Sequence, residues 1–274
     1  MFDKDAIEAL AEGAAISQAE EAVTHALQAE GAAALPEHFK MHDLEGYMPT
    51  RRRARGTMST SAVADFASYV KTNLEAGAAV FVDADAMSAT AVLNLGTPTA
   101  PGHADNKAVV KAKITAAYEA LKAHANGRGI GQASVAEFFE DWAGYLLFFK
   151  DSESVSPPKA IAAIRKITIE SMRKLESEEK SLSASRSTFE NVQATSADPI
   201  PTTIYFNCTP YHGLMERNFV LRLSVITSND KPSISLRIVK QEEHDEAMAQ
   251  EFARLVDTSL RGEVPVMLGS YATR

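Results

Sequence analysis

The sequence predicts an α+β protein with mixed, mainly antiparallel sheets and several amphipathic helices. Three observations carry that expectation. Phe219, Leu221, Leu223 and Val225 alternate strictly with more polar neighbours, as do Ile234, Leu236 and Ile238, and this is the period of a strand with one wet face. The intervening Asn229-Asp230-Lys231-Pro232 has turn chemistry, so the two strands are expected to pair antiparallel. Elsewhere apolar residues recur at helical spacing, as at Val63, Phe66, Tyr69, Val70 and Leu74.

In chain order, the Ala- and Glu-rich opening places Ile7, Leu10, Ala14, Val23 and Leu27 at roughly helical intervals, so one or two helices are expected before Gly31. Leu35 to Pro49 reads as an irregular connection that leads into Arg51, Arg52, Arg53 and Arg55. Thr57 to Thr60 suits a short strand or turn, Ser61 the N-cap of the next helix, and Gly77 its close. Ala78 to Val82 and Met87 to Leu95 read as two strands joined by a turn at Asp83 to Ala86. Two prolines and two glycines within Gly96 to Asn106 impose a loop of defined shape.

From Lys107 onward Val110, Ala112 and Ile114 occupy one strand face and Lys111 and Lys113 the other. Helices are expected over Ala116 to Ala125 and Ser134 to Phe149, joined by the glycine-rich Asn126 to Gly131. The second carries Phe138, Phe139, Trp142, Tyr145, Phe148 and Phe149, more aromatic surface than one helix face buries simply, so part of it is expected deep in the core or at a subunit contact. Pro157-Pro158 opens a further amphipathic helix through Ile161, Ile164, Thr168, Met172 and Leu175. A helix with Met248, Phe252, Leu255 and Val256 and a short strand at Val264 to Leu268 complete the reading. The Ser-rich Glu176 to Ser187 and the polar Ala194 to Pro201 divide a mixed α/β region with N-terminal helices, 1–176, from a β-rich region with one helix, 177–274, unless one continuous domain spans both.

With 274 residues, 45% of them hydrophobic, the chain needs neither disulfide nor metal to build a core. Its lone Cys208 pairs with nothing internally, and the acidic start at Met1 to Asp5 lacks a secretory pattern, so a reducing cytoplasm and no membrane association are expected. A net charge of −8 opposes sequence-independent nucleic-acid binding by the chain as a whole, although the arginine run makes one stretch strongly basic.

The run Arg51 to Thr57, together with Phe81 to Ala91, Asn94-Leu95-Gly96, Ala100 to Asp105, Ala116-Ala117-Tyr118 and Glu137 to Trp142, resembles the YfdQ-like family of phage and prophage proteins. The resemblance implies a phage or prophage origin and expression in the cytoplasm of a bacterial host. It supplies no catalytic residues.

Candidate chemistry is sparse. Asp83, Asp85, His103 and Asp105 offer oxygen and nitrogen donors for a divalent metal in a hydrolase, yet such residues in loops more often bond the local backbone. Gly127, Gly129 and Gly131 superficially suggest a phosphate loop, but the expected order is helix then loop, so a flexible interhelix connection is favoured. Cys208 beside Tyr211 and His212 suggests a nucleophile only by adjacency; a small buried thiol is the plainer reading. No cofactor is expected, and an enzymatic role is disfavoured. The leading expectation is a non-enzymatic, self-assembling homo-oligomer, ring or shell-like, joined through the aromatic segment and by ion pairs of the arginine run. The alternative is a nucleic-acid-binding accessory factor in phage recombination or replication, with Arg51, Arg52, Arg53 and Arg55 on phosphates and Lys111 and Lys113 extending the track.

Overall fold

The computed structural model describes residues 3–25, 45–150, 152–166, 200–228 and 231–272. The chain divides into two compact units, Met1–Ala54 and Arg55–Arg274. In the first, one helix, α1 (Lys4–His25), is followed by a 3₁₀ turn at Glu45–Tyr47. Ile7, Leu10 and Ile16 of α1 are exposed. Leu27 and Gly31, named for the same helical stretch, lie outside the described residues.

The second unit holds two sheets and five described helices. Strand β1 (Gly56–Thr60) leads to α2 (Val63–Thr72), then to the hairpin of β2 (Ala79–Asp83) and β3 (Ser88–Val92). A two-residue ribbon, β4 (Gly96–Thr97) with β5 (Ala100–Pro101), precedes β6 (Asn106–Lys111). Next come α3 (Ala116–His124), β7 (Asn126–Gly131), α4 (Gln132–Asp141), β8 (Leu146–Lys150), β9 (Glu153–Val155) and α5 (Pro157–Arg165). After residue 200 follow β10 (Thr203–Cys208), β11 (Arg217–Ser228), β12 (Lys231–Ile238), α6 (Gln241–Leu260) and β13 (Val266–Leu268).

The five-stranded sheet runs β1-β6-β3-β2-β13, with parallel pairs at both edges and antiparallel pairs inside. The six-stranded sheet runs β7-β12-β11-β10-β8-β9 and is antiparallel throughout. It therefore joins strands from both sides of residue 176. Helix α2 packs on β1 and β6 of the five-stranded sheet, where Phe66, Val70, Val80, Val82, Ala108 and Val110 are buried, and α6 packs on α2 while His244 and Glu251 reach Phe219 and Arg217 of β11. Helices α3, α4 and α5 back the six-stranded sheet. Tyr118 of α3 stacks on Phe219 at 5.1 Å, and Phe138 of α4 stacks on Phe206 at 5.9 Å.

Several elements differ from the sequence reading. The helix expected from Ser134 to Phe149 ends at Asp141; a 3₁₀ turn, Ala143–Tyr145, then turns the chain into β8. Leu146 and Phe148 point into the core and Leu147 outward, the alternation of a strand. The glycine-rich Asn126 to Gly131 is no interhelix loop: it is β7, the edge strand against β12. The N-cap of α2 is Ala62, whose N–H donates to Thr60 Oγ1 at 3.1 Å, in place of Ser61. Gly77 lies beyond that helix, which is closed by Asn73, and Thr168, Met172, Leu175 and the Asn229-Asp230 turn lie outside the described residues.

Tight glycine packing fixes the 96–106 loop. A Cβ on Gly77 would stand 1.7 Å from the Gly96 carbonyl oxygen, and one on Gly102 would stand 2.0 Å from the Asn94 carbonyl oxygen. Around this point Asn94 Nδ2 donates to Asp105 Oδ1 at 2.9 Å, and the Asn106 N–H donates to Asn94 Oδ1 at 3.0 Å. Asn94 and Asn106 are buried, so these bonds satisfy amides that would otherwise be stranded away from water.

Candidate functional site

Alternation along β8, β10, β11 and β12 sends one set of side chains to the helices and the other set outward. The outward set is unusual. Arg222 of β11 lies directly opposite Arg237 of β12, and both are exposed. Neither takes part in an ion pair or a side-chain hydrogen bond among the described residues. Like charges placed opposite each other on adjacent strands repel, so this pair is destabilising where it stands.

Beside the pair the face turns apolar. Tyr205 of β10 lies opposite Leu147 of β8 on one side and Val220 of β11 on the other. Leu147 is 50% exposed, while Tyr205, Phe149 and Val220 are half-buried. Phe149 meets the Tyr205 ring edge-on, with centroids 5.6 Å apart and planes at 83°. Tyr205 and Arg222 stand on neighbouring strands and differ by two residues along the sheet, about 8 Å apart at ordinary strand spacings. Two guanidinium forks and an aromatic platform thus share one open surface.

The residues singled out in the sequence fall in different places. Arg51, Arg52 and Arg53 belong to the first unit and Arg55 to the second. The backbone N–H of Arg52 donates to Glu45 Oε1 at 3.2 Å, and Arg53 and Arg55 engage further neighbours. Arg55 precedes β1 while Lys111 ends β6, its parallel partner, so the two stand at opposite ends of the strand pair, about 20 Å apart. Lys113 lies on the exposed connection that follows β6.

Of the aromatic segment, Phe138, Phe139 and Phe148 are core residues, and Phe139 meets Phe148 edge-on at 5.2 Å. Trp142 is half-buried against Tyr145 and Phe206, and Tyr145 remains 41% exposed. Three of the six aromatics are thus buried within one copy, while Trp142, Tyr145 and Phe149 keep part of their surface exposed. Asp83 Oδ1 accepts the Ala86 N–H at 3.0 Å in the β2–β3 turn, and Asp105 is tied to Asn94, while Asp85 and His103 are exposed. Among the described residues no group of three or more His, Cys, Asp or Glu side chains is placed to share a metal ion.

Two clefts flank the connection between β10 and β11. The larger, of about 530 Å³, is lined by Ser61 to Ala64 at the start of α2, with Lys113, His212, Gly213, Leu255 and Ser259. The smaller, of about 380 Å³, gathers Asp85, Glu242, Asp245 and Glu246 around Lys122 and Tyr211. Beneath it Tyr118 donates a long bond, 3.4 Å, to Asp245 Oδ1; burial first, and then the Asp245 charge, push its phenol well above the ordinary range. Burial and the neighbouring Arg217 lower the His244 imidazole, so it stays neutral near pH 7. Cys208 is buried, and burial pushes its thiol up to about 12; a thiol so held is a poor nucleophile at neutral pH.

The opposed arginines and Tyr205 were missed in the sequence, although the signal for the arginines is simple; Phe149 was named, but for self-association. The alternation that identifies Leu221, Leu223, Leu236 and Ile238 as inward also marks Arg222 and Arg237 as outward, and the hairpin register sets them side by side.

A family profile described as "Uncharacterized conserved protein (DUF2303)" matches residues 4–271, nearly the whole chain. The chain belongs to that family. No curated protein and no solved structure matches it. The blocks quoted for the phage-type resemblance fall on the segment leading into β1, the β2–β3 hairpin, the glycine-packed 96–106 loop, the start of α3 and the end of α4. Among the described residues no helix is long and apolar enough to cross a membrane.

Proposed function

We propose that this chain is a phage- or prophage-encoded accessory protein that binds nucleic acid through the open face of its six-stranded sheet. The observation that carries the reading is the Arg222–Arg237 pair, two exposed arginines directly opposite each other on adjacent strands with no counter-charge among the described residues. An arrangement that repels itself in the free protein is relieved by an anion, and planar guanidinium forks match phosphate oxygens. The phage setting rests on the sequence resemblance, and the role in recombination or replication on that setting.

The net charge of −8 does not oppose this reading at close range. Glu242, Glu243, Asp245 and Glu246 lie in the opening turns of α6, on the helix-bearing face of the sheet opposite the arginines, where His244 meets Phe219 and Asp245 accepts from Tyr118. At physiological ionic strength charges farther away than about 8 Å are largely screened, so the local arginines set the field on their own face. Fluorescence anisotropy with a labelled 20-nucleotide DNA at 50 mM salt tests the proposal. The wild-type protein binds, and the Arg222→Ala/Arg237→Ala variant loses at least tenfold in affinity with its thermal stability intact; equal affinities would refute it.

Self-association is a second reading, and one observation favours it. Strand β13 forms an edge of the five-stranded sheet, and its Met267 and Leu268 are 42% and 77% exposed, an apolar edge available to a second copy. Light scattering distinguishes it: a multimer that Leu268→Lys reduces to monomer supports this reading, and a wild-type monomer at micromolar concentration removes it.

A further inference from the structure

We infer that the ligand of the six-stranded sheet is single-stranded nucleic acid, whose unpaired bases stack on Tyr205 while its phosphates meet Arg222 and Arg237; the inference rests on the nucleic-acid reading above. Arginines alone do not separate one strand from two, since both present phosphates. The aromatic residues do. A base in a duplex has its faces covered by its neighbours, whereas an unpaired base gives a face to an aromatic ring, and such stacking is tolerant of sequence.

The placement fits one strand crossing the sheet. Tyr205 is flanked by Leu147 and Val220 within its own row, and Phe149 meets its ring edge-on at 5.6 Å. These contacts restrict the ring before any ligand arrives, which reduces the ordering cost of binding. The arginines lie one and two strands away, about 8 to 12 Å from Tyr205 at ordinary sheet spacings, a separation that a base and the phosphates of an adjacent nucleotide span together. Leu147, half exposed beside Tyr205, extends the apolar platform for a second base. A duplex laid on the same face reaches the arginines and leaves Tyr205 and Leu147 against sugar and phosphate, so their desolvation is uncompensated.

The experiment compares a labelled 20-nucleotide oligo(dT) with the same strand annealed to oligo(dA), using the full chain. Wild-type protein is expected to bind the single strand at least tenfold more tightly. Tyr205→Ala removes most of that preference and weakens oligo(dT) binding about tenfold, the loss of one stacked base. Tyr205→Phe retains both the affinity and the preference, which separates stacking from a mere folding defect. Equal affinities for the two forms, or a single-strand preference unchanged in Tyr205→Ala, overturn this inference while loss of binding in Arg222→Ala/Arg237→Ala keeps the parent reading. Failure of the wild-type protein to bind either form overturns both.

Discussion

Gly77, Gly96 and Gly102 pack backbone against backbone so closely that the chain has no room there for a methyl group. Gly77 and Gly96 also hold positive φ values of 73° and 75°, which other residues adopt only with strain. Gly102→Ala should destabilise the fold by about 3 kcal/mol or more, because the clash is with backbone, which cannot swing aside as a side chain does. Gly131→Ala is the control. No atom lies within 4 Å of the position its Cβ would take, so a change within about 1 kcal/mol is expected in chemical denaturation. Such glycines, with the Asn94–Asp105 bond, account for two of the resemblance blocks as the parts of one closely packed loop. Single residues also fix what the chain does not do easily. Cys208, buried with its thiol pushed up to about 12, is a core group at the end of β10.

Among the elements, strands with clean alternation were legible in the sequence, and segments with continuous apolar runs were not. β11 and β12 pair antiparallel as expected, although Lys231 and Pro232, read as turn residues, already belong to β12, and α3 and α6 occupy the stretches their helical spacing marks. The run Tyr145-Leu146-Leu147-Phe148-Phe149 hides its period of two because the outward positions, Leu147 and Phe149, are apolar as well. β7 was illegible for a different reason: Asn126 to Gly131 has little strand propensity, and it is held to the edge of β12 by the ladder and by the Ser235 hydroxyl, which donates to the Gly127 carbonyl at 2.8 Å. The site was half legible. β11 and β12 were expected, but β8 was read as helix and β10 was not named, and the outward row to which Arg222 and Arg237 belong carries no apolar alternation to mark it. That row carries a prediction of its own. Because the two arginines face each other without a counter-charge, Arg237→Thr should raise stability by roughly 0.2–1 kcal/mol in chemical denaturation while weakening nucleic-acid binding. A loss of stability would indicate that Arg237 serves the fold.

At the scale of the whole molecule, charge is segregated more than it is depleted. Acidic residues crowd the opening turns of α6 and the small cleft beside Tyr211, whereas the outward face of the six-stranded sheet carries Arg222 and Arg237. An acidic total is thus compatible with a cationic working face, provided the ligand approaches within a screening length. The aromatic residues divide similarly: Phe138, Phe139 and Phe148 join helices to sheet inside one copy, and Tyr205 with Leu147 stays within reach of a ligand. The most direct test of this account is the salt dependence of oligo(dT) binding between 50 and 200 mM for the wild-type protein and the Arg222→Ala/Arg237→Ala variant. The account predicts a linear fall of log affinity with log salt concentration, and a slope shallower in the variant by about 0.7 for each phosphate contact removed. A wild-type affinity indifferent to salt, or a slope unchanged by removing both arginines, would contradict it.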